Sequence, residues 1–148
     1  MKPAVIVDTN VLVAGLLTKD AQSPVARIVD GMLATSFAFA ISQALLTEYS
    51  SVLARPKLRK LHGLSDADID LLLTDLSHHA IVLQPKPAPP APDPGDQLLW
   101  ELLAVRDDLI LITGDKLLLQ QREAQAGRII SPKAFCEAWL DAGAAAPG

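Results

Sequence analysis

Two short apolar runs, each followed closely by an aspartate, constrain the fold of this sequence most. Residues 4–7 are Ala, Val and Ile and lead directly into Asp8, whereas residues 109–112 are Leu and Ile and lead within three residues to Asp115. Short unbroken runs of this kind are typical of strands that a parallel sheet buries on both faces. Because ligands of such sheets bind beyond the carboxyl ends of the strands, we expect Asp8 and Asp115 to share one edge.

Helical segments alternate with further short strands along the chain. Helices are predicted at 24–33, from 43 to before Pro56, at 65–78, from Asp96 to about residue 103, after Lys116 and from Pro132 to about Leu140, and further strands at 37–41, 80–83 and 128–130. This alternation predicts an α/β fold with a parallel β-sheet of about five strands, flanked by helices on both faces and joined by right-handed crossovers.

The 148 residues are predicted to form one domain over 1–142. Six of the 11 prolines lie in 84–95, which indicates an extended connector over the surface rather than a domain linker. The two halves depend on each other because the strand at 109–112 needs a sheet to join. Residues 143–148 are predicted to be a disordered tail.

Composition excludes several classes of protein. With 50% hydrophobic and 20% charged residues, the chain is too apolar to be intrinsically disordered. A single cysteine, Cys136, excludes an internal disulfide framework and a multi-cysteine zinc site. No apolar stretch reaches the roughly 18 residues of a spanning helix, so we expect a cytoplasmic protein without a membrane anchor. The net charge of -4 argues against binding nucleic acid by bulk charge.

Two further acids are placed where they could join Asp8 and Asp115. Glu48 flanks the apolar stripe of the helix after Ser42, and Asp96 opens the helix after the connector. Four carboxylates gathered at one edge would repel one another unless a hard divalent cation such as Mg²⁺ or Mn²⁺ lay between them. The alternative is that each aspartate is an ordinary helix cap and Glu48 a surface acid.

Five motifs occur together in a particular order. They are Val7-Asp8-Thr9-Asn10, Leu46-Thr47-Glu48-Tyr49, Asp93-Pro94-Gly95-Asp96, Thr113-Gly114-Asp115-Lys116 and Ile130-Ser131-Pro132-Lys133-Ala134-Phe135. In order and spacing they resemble the PIN domain, a metal-dependent ribonuclease module common among toxins of bacterial and archaeal toxin-antitoxin pairs. The resemblance spans nearly the whole chain.

The resemblance implies a specific set of site residues. Asp8, Glu48, Asp96 and Asp115 would hold one or two Mg²⁺ or Mn²⁺ ions, and Asn10 and Thr113 would support them through hydrogen bonds. Without these four acids the chain has equal numbers of acidic and basic residues, so the four acids account for the net negative charge.

The sequence departs from the family pattern at two positions. Gln97 stands where the family usually has Asn or Asp, and Leu117 stands where Asp is frequent. Neither change removes one of the four acids. Asp93 is an alternative to Asp96 as the third of the four metal-binding acids. Asp96 is preferred because it directly opens the predicted helix that follows.

The expected function is a Mg²⁺- or Mn²⁺-dependent endoribonuclease that cleaves single-stranded RNA. The resemblance further implies a toxin that forms a homodimer and is restrained by an antitoxin protein. A basic cluster is a candidate RNA contact, or alternatively a solvated helix end. It consists of Arg55, Lys57, Arg59 and Lys60.

Two other functions remain open. One is a PIN-like module that binds RNA or protein without cutting it. The other is a phosphoryl-transfer domain of the receiver or haloacid-dehalogenase type, which also uses an aspartate after the first strand. It ranks last because the haloacid-dehalogenase type requires a second aspartate where Asn10 stands.

Overall fold

The structure is a computed structural model that describes residues 4–141, so the predicted tail at 143–148 lies outside the described residues. The strands are β1 (Val5–Val7), β2 (Ala40–Ile41), β3 (Ile81–Val82), β4 (Ile110–Ile112) and β5 (Ile129–Ile130). The helices are α1 (Thr9–Leu17), α2 (Pro24–Leu33), α3 (Gln43–Leu53), α4 (Pro56–His62), α5 (Asp66–His79), α6 (Gln97–Leu103), α7 (Lys116–Leu119) and α8 (Pro132–Phe135). A 3₁₀ turn at Pro94–Asp96 precedes α6, and a π-helical segment at Cys136–Asp141 follows α8.

The predicted α/β architecture is confirmed, with a correction to the sheet. The strands pair in parallel in the order β1-β4-β5, while β2 and β3 pair with each other as a second parallel sheet. An isolated bridge between Val5 and Phe39 links the two. The main sheet therefore has three strands instead of about five. The second sheet stays short because β2 is followed at once by Ser42, which caps α3 and ends the extended conformation.

The register of the main sheet brings the polar turns together. Val7 pairs with Ile112, and Ile112 pairs with Ile130, so all three strands end at one level. The residues of β1 are completely buried, as expected for a strand covered on both faces. The residues that follow these strands therefore meet at the carboxyl edge of the sheet.

Most helices begin directly after the capping residue that predicted their start. The side chains of Ser23, Ser42 and Ser131 accept hydrogen bonds from the backbone N–H three residues later. Ser65 and Asp68 form a complete capping box at the start of α5. These caps set the residues at which α2, α3, α5 and α8 begin.

Two helices were not predicted from the sequence. Helix α1 begins directly after Asp8, and α4 begins at Pro56, which occupies the first helical position instead of ending a helix. Helix α1 packs closely on α2 at Gly15, where an added Cβ would lie 2.6 Å from the Val25 carbonyl oxygen. Any larger residue at this position would force the two helices apart.

The proline-rich connector is fastened to α6 by the Gln97 side chain and by a backbone hydrogen bond from the Lys86 N–H to the Glu101 carbonyl oxygen at 3.0 Å. Oε1 of Gln97 accepts from the Ala91 N–H at 2.7 Å, and its Nε2 donates to the carbonyl oxygens of Ala88 and Pro89 at 3.3 Å. The connector therefore lies against the helix that Asp96 precedes.

In the part of the chain that the structure describes, no helix has the length and apolar character needed to cross a membrane.

Candidate active site

Asp8 lies at the carboxyl end of β1 with only 5% of its surface exposed. Its backbone N–H donates to the Ile112 carbonyl oxygen at 3.0 Å, so the turns after β1 and β4 lie side by side. The buried Thr113 hydroxyl donates to Oδ2 of Asp8 at 2.7 Å. Although Asp8 precedes α1, its side chain makes no capping hydrogen bond to that helix, and the only backbone group of α1 that lowers its pKa is the Thr9 N–H. The carboxylate is therefore held toward β4 instead of capping α1.

Glu48 reaches the same edge from α3. Its Oε2 accepts a hydrogen bond from the hydroxyl of Thr9, which is buried at the start of α1. The adjacent Tyr49 is fully buried, and its hydroxyl donates to the Val7 carbonyl oxygen at the end of β1. Burial raises the pKa of Tyr49, and the charges of Asp8 and Glu48 add to this, so the phenol stays protonated and remains a donor. The bond from Thr9 ties α3 to the start of α1, and the bond from Tyr49 ties it to the end of β1.

Asp96 stands between the 3₁₀ turn and α6 and is half-buried. Its side chain accepts no hydrogen bond from α6. The pKa of Asp96 is raised to about 6, first by burial and then by nearby negative charges. The acids that contribute are, in decreasing order, Asp8, Asp115, Asp93 and Glu48.

Asp93 and Asp115 differ from Asp8 and Asp96 because their carboxylates cap turns. Oδ1 of Asp93 accepts from the Gly95 N–H, and Oδ1 of Asp115 accepts from the Leu117 N–H, each at 2.9 Å. The Asp115 N–H in turn donates to the Thr113 hydroxyl at 3.0 Å. The helix-cap alternative therefore describes part of the role of Asp93 and Asp115, but it does not describe Asp8 or Asp96.

We call Asp8, Glu48, Asp96 and Asp115 the acid cluster. Burial is the main cause that raises the pKa of Asp8, and the charges of Glu48 and Asp115 raise it further, against the opposing Thr113 hydrogen bond. The ion pairs of residues 4–141 lie elsewhere and involve none of the four acids. They are Arg27–Asp141, Arg59–Asp66 and Arg106–Asp108. The negative charge of the cluster is thus not compensated by a basic side chain within the described residues.

The charge and the oxygen donors of the acid cluster suit a divalent cation. The positions of its side chains in the structure do not surround an ion. Carboxylate and hydroxyl oxygens are the donors that Mg²⁺ and Mn²⁺ prefer. Among residues 4–141, however, no group of three or more His, Cys, Asp or Glu side chains is arranged to hold an ion. Hydroxyls hold two of the carboxylates, since Thr113 bonds Asp8 and Thr9 bonds Glu48. Ion binding would therefore require side chains of the cluster to turn toward one another.

The two residues predicted to support the acids behave differently. Thr113 bridges Asp8 and Asp115 through its hydroxyl, as described above. Asn10 is exposed, and within the described residues its side chain makes no hydrogen bond to an acid. Instead, Asn10 lines a small pocket whose edge includes Asp115.

The predicted basic cluster lies around α4. Arg55, Lys57 and Lys60 are exposed. The half-buried Arg59 is paired with Asp66 and also donates through Nε to the Ala54 carbonyl oxygen at 3.0 Å. Arg59 therefore joins α4 to the start of α5, and within residues 4–141 the other three basic side chains of this cluster form no ion pair.

Three residues that shape the site were not predicted as such. Thr9 holds α3 against α1, Tyr49 holds it against the end of β1, and Gln97 holds the connector beside Asp96. Thr9 and Tyr49 are sequence neighbours of Asp8 and Glu48, and this adjacency was the available signal. Gln97 departs from the family pattern, but its role depends on where the connector runs.

The chain matches a known protein family. A family model described as PIN domain matches residues 4–117, well over half of the chain. The match begins just before β1 and extends beyond Asp115, so it includes all four residues of the acid cluster. A comparison with curated proteins gave no significant match.

Proposed function

Because the chain belongs to the PIN domain family, whose members are generally nucleases, we propose that it is a Mg²⁺- or Mn²⁺-dependent endoribonuclease that cleaves single-stranded RNA. The observation that carries the proposal is the acid cluster at the carboxyl edge of the main sheet. Its members come from four separate parts of the fold and interact electrostatically. Such a concentration of like charge is unfavourable in a protein unless a cation is its partner.

Asp8, Glu48, Asp96 and Asp115 are the residues that would hold one or two ions. When bound, Mg²⁺ or Mn²⁺ supplies charge compensation for the phosphate and an activated water at neutral pH. Thr113 and Thr9 orient Asp8 and Glu48 by donating their hydroxyl protons. Water adds to phosphorus while the bond to the 3′ oxygen breaks, which leaves a 5′ phosphate and a 3′ hydroxyl.

The test is RNA cleavage by Asp8→Asn and Asp115→Asn. Both variants are expected to lose cleavage of single-stranded RNA with Mg²⁺ or Mn²⁺ while keeping the fold, as judged by circular dichroism. Asp75→Asn, an exposed acid on α5, is the matched control and should retain full activity. All proteins are purified in parallel to reveal contaminating nuclease. Unchanged cleavage by both cluster variants would refute the assignment.

A second comparison identifies the third aspartate. Asp93→Asn and Asp96→Asn remove one charge from neighbouring positions of the same segment. Only Asp96→Asn is expected to match the loss at Asp115, because Asp96 is half-buried next to Asp8 and Asp115, whereas Asp93 is exposed. Loss of cleavage in Asp93→Asn alone would reassign the site.

We further propose that the protein is the toxin of a toxin–antitoxin pair and forms a homodimer. The support is family membership together with large apolar side chains left exposed. These are Leu61, Leu71, Val82 and Leu117. Light scattering at tens of micromolar should show a dimer. Expression should arrest growth, and coexpression of an adjacent short reading frame should relieve the arrest; a monomer without toxicity would contradict both proposals.

The antitoxin protein is proposed to inhibit by inserting an Arg or Lys side chain into the acid cluster. A cation is what the cluster is charged to hold, so the basic side chain would compete with Mg²⁺ or Mn²⁺. The affinity for the antitoxin should therefore fall as the concentration of either ion rises. Affinity that is independent of the ion would contradict displacement.

A non-catalytic module that binds RNA or protein is the second candidate function. It is favoured by the finding that no three acids of residues 4–141 are arranged to hold an ion. This function predicts RNA binding without cleavage at any concentration of Mg²⁺ or Mn²⁺. The two candidates are therefore separated by the cleavage assay above combined with a binding assay on the same RNA.

A further inference from the structure

A pocket of about 250 Å³ adjoins the acid cluster and shares Asp115 with it. Its other lining residues come from α1, the first turn of α2 and the segments that follow β4 and β5. They are Asn10, Val11, Ala14, Val25, Gly114 and Pro132. The pocket thus opens at the same carboxyl edge of the main sheet where cleavage is proposed to occur.

The chemistry of this pocket favours an uncharged group. Val11, Ala14, Val25 and Pro132 provide apolar walls, and no basic side chain is among the lining residues. The carboxylate of Asp115 disfavours an anion, so a phosphate does not belong here. Asn10 provides the one neutral amide, which offers both donors and an acceptor. At about 250 Å³ the pocket is smaller than the ~300–1,000 Å³ of typical small-molecule sites.

We propose that this pocket binds one base of the RNA substrate, next to the phosphodiester that is cleaved. The inference rests on the proposed function, because the shared Asp115 places the pocket beside the acids that would act on the phosphate. A base is planar and uncharged and has hydrogen-bonding edges, which fits aliphatic walls with a single amide. No aromatic side chain lines the pocket, so size and the Asn10 amide decide which base is accepted.

The pocket can be filled without touching the acids. Ala14 is half-buried on α1, and Ala14→Leu places three further carbon atoms in the pocket while keeping a good helix former. Ala67→Leu, at an exposed position of α5, adds the same atoms elsewhere and is the matched control. Val25→Ala enlarges the pocket and serves as the second variant should Ala14→Leu fail to fold.

The experiment is amide NMR titration with adenosine, guanosine, cytidine and uridine in EDTA, so that neither an ion nor cleavage is needed. At least one nucleoside should give saturable shifts at Ala14, Val25 and Gly114. Ala14→Leu should weaken this binding by about tenfold or more, by analogy with steric discrimination in apolar pockets. Ala67→Leu should leave it unchanged, and Val25→Ala should shift the preference toward the larger purine nucleosides.

The outcomes separate this inference from the proposed function. Cleavage of RNA without nucleoside binding, and with the same cleavage sites in Ala14→Leu, would overturn the base pocket and leave the nuclease proposal standing. Nucleoside binding that Ala14→Leu abolishes, in a protein that cuts no RNA, would support the pocket and refute the nuclease. Shifts produced by N-acetyl-tryptophanamide but by no nucleoside would show that a protein side chain is the occupant, which also overturns the inference.

Discussion

The acid cluster predicts that the metal-free protein loses stability as the pH rises from about 4 to about 6. Asp96 has a pKa of about 6 in the folded chain and 3.8 as an ordinary carboxyl. Between these values the unfolded chain has released the proton while the folded chain still holds it. Unfolding then becomes more favourable as the pH rises, and above about pH 6 the penalty is complete. Asp96→Asn should remove the part of this dependence that comes from Asp96, because Asn has no proton to release, whereas Asp8, whose pKa is also raised, keeps its own contribution.

The size of the effect follows from the same shift. Converted without correction, the difference between 3.8 and about 6 corresponds to about 3 kcal/mol. Asp96 is only half-buried, so solvent screens its interactions with the other acids and we expect about 1 kcal/mol. At pH 7 in EDTA, Asp96→Asn should therefore be about 1 kcal/mol more stable than the unmodified protein, and at pH 3.5 the two should be equally stable.

Urea unfolding in EDTA at half-unit steps from pH 3.5 to 7.5 measures this difference. Asp75→Asn, the exposed control on α5, should follow the unmodified protein throughout. Adding Mg²⁺ at pH 7 should stabilise the unmodified protein more than Asp96→Asn, because a ligand that binds the folded state raises its stability. If Asp96→Asn is less stable at pH 7, or follows the unmodified protein at every pH, the reasoning about like charge is wrong.

Two further substitutions test contacts that hold the site, and a third tests a helix cap away from it. Gln97→Ala removes the hydrogen bonds to the connector, so amide exchange at Ala91 should become faster, and unfolding should cost about 1–2 kcal/mol less. Tyr49→Phe leaves the Val7 carbonyl oxygen without its buried donor, and urea unfolding should show a loss of about 1–3 kcal/mol. Ser65→Ala removes the α5 cap and should cost about 1 kcal/mol in the same assay, with cleavage unchanged.

The strands and the caps were predictable because they depend on local composition. Unbroken Val, Ile and Leu runs indicated β1 and β4, and a serine before proline or an apolar stripe indicated α2 and α3. Helix α1 was missed because, after Thr9 and Asn10, its residues are apolar all around and show no polar face. Helix α4 was missed because Pro56 was interpreted as a stop, although proline also suits the first position of a helix.

Only those site residues that directly follow a strand could be placed from the sequence. Asp8 and Thr113 meet because β1 and β4 are parallel neighbours that end at one level. The bond from Thr9 to Glu48 spans 39 residues and depends on how α3 packs against α1, which periodicity alone does not give. The path of the connector, and with it the contacts of Gln97, likewise depends on tertiary packing.

Whether an aspartate is a helix cap or a site residue cannot be decided from its position in the sequence, since several of these aspartates precede a helical turn. Their hydrogen bonds show only which carboxylates cap a turn, and Asp115 does so while also belonging to the acid cluster. Asp93 and Asp115 accept backbone N–H groups, which is worth about 1 kcal/mol to a turn, whereas the side chains of Asp8 and Asp96 cap no helix. Asp8 is instead buried with a raised pKa beside two other acids. Stability is thus sacrificed at this edge of the sheet, as it commonly is at functional sites.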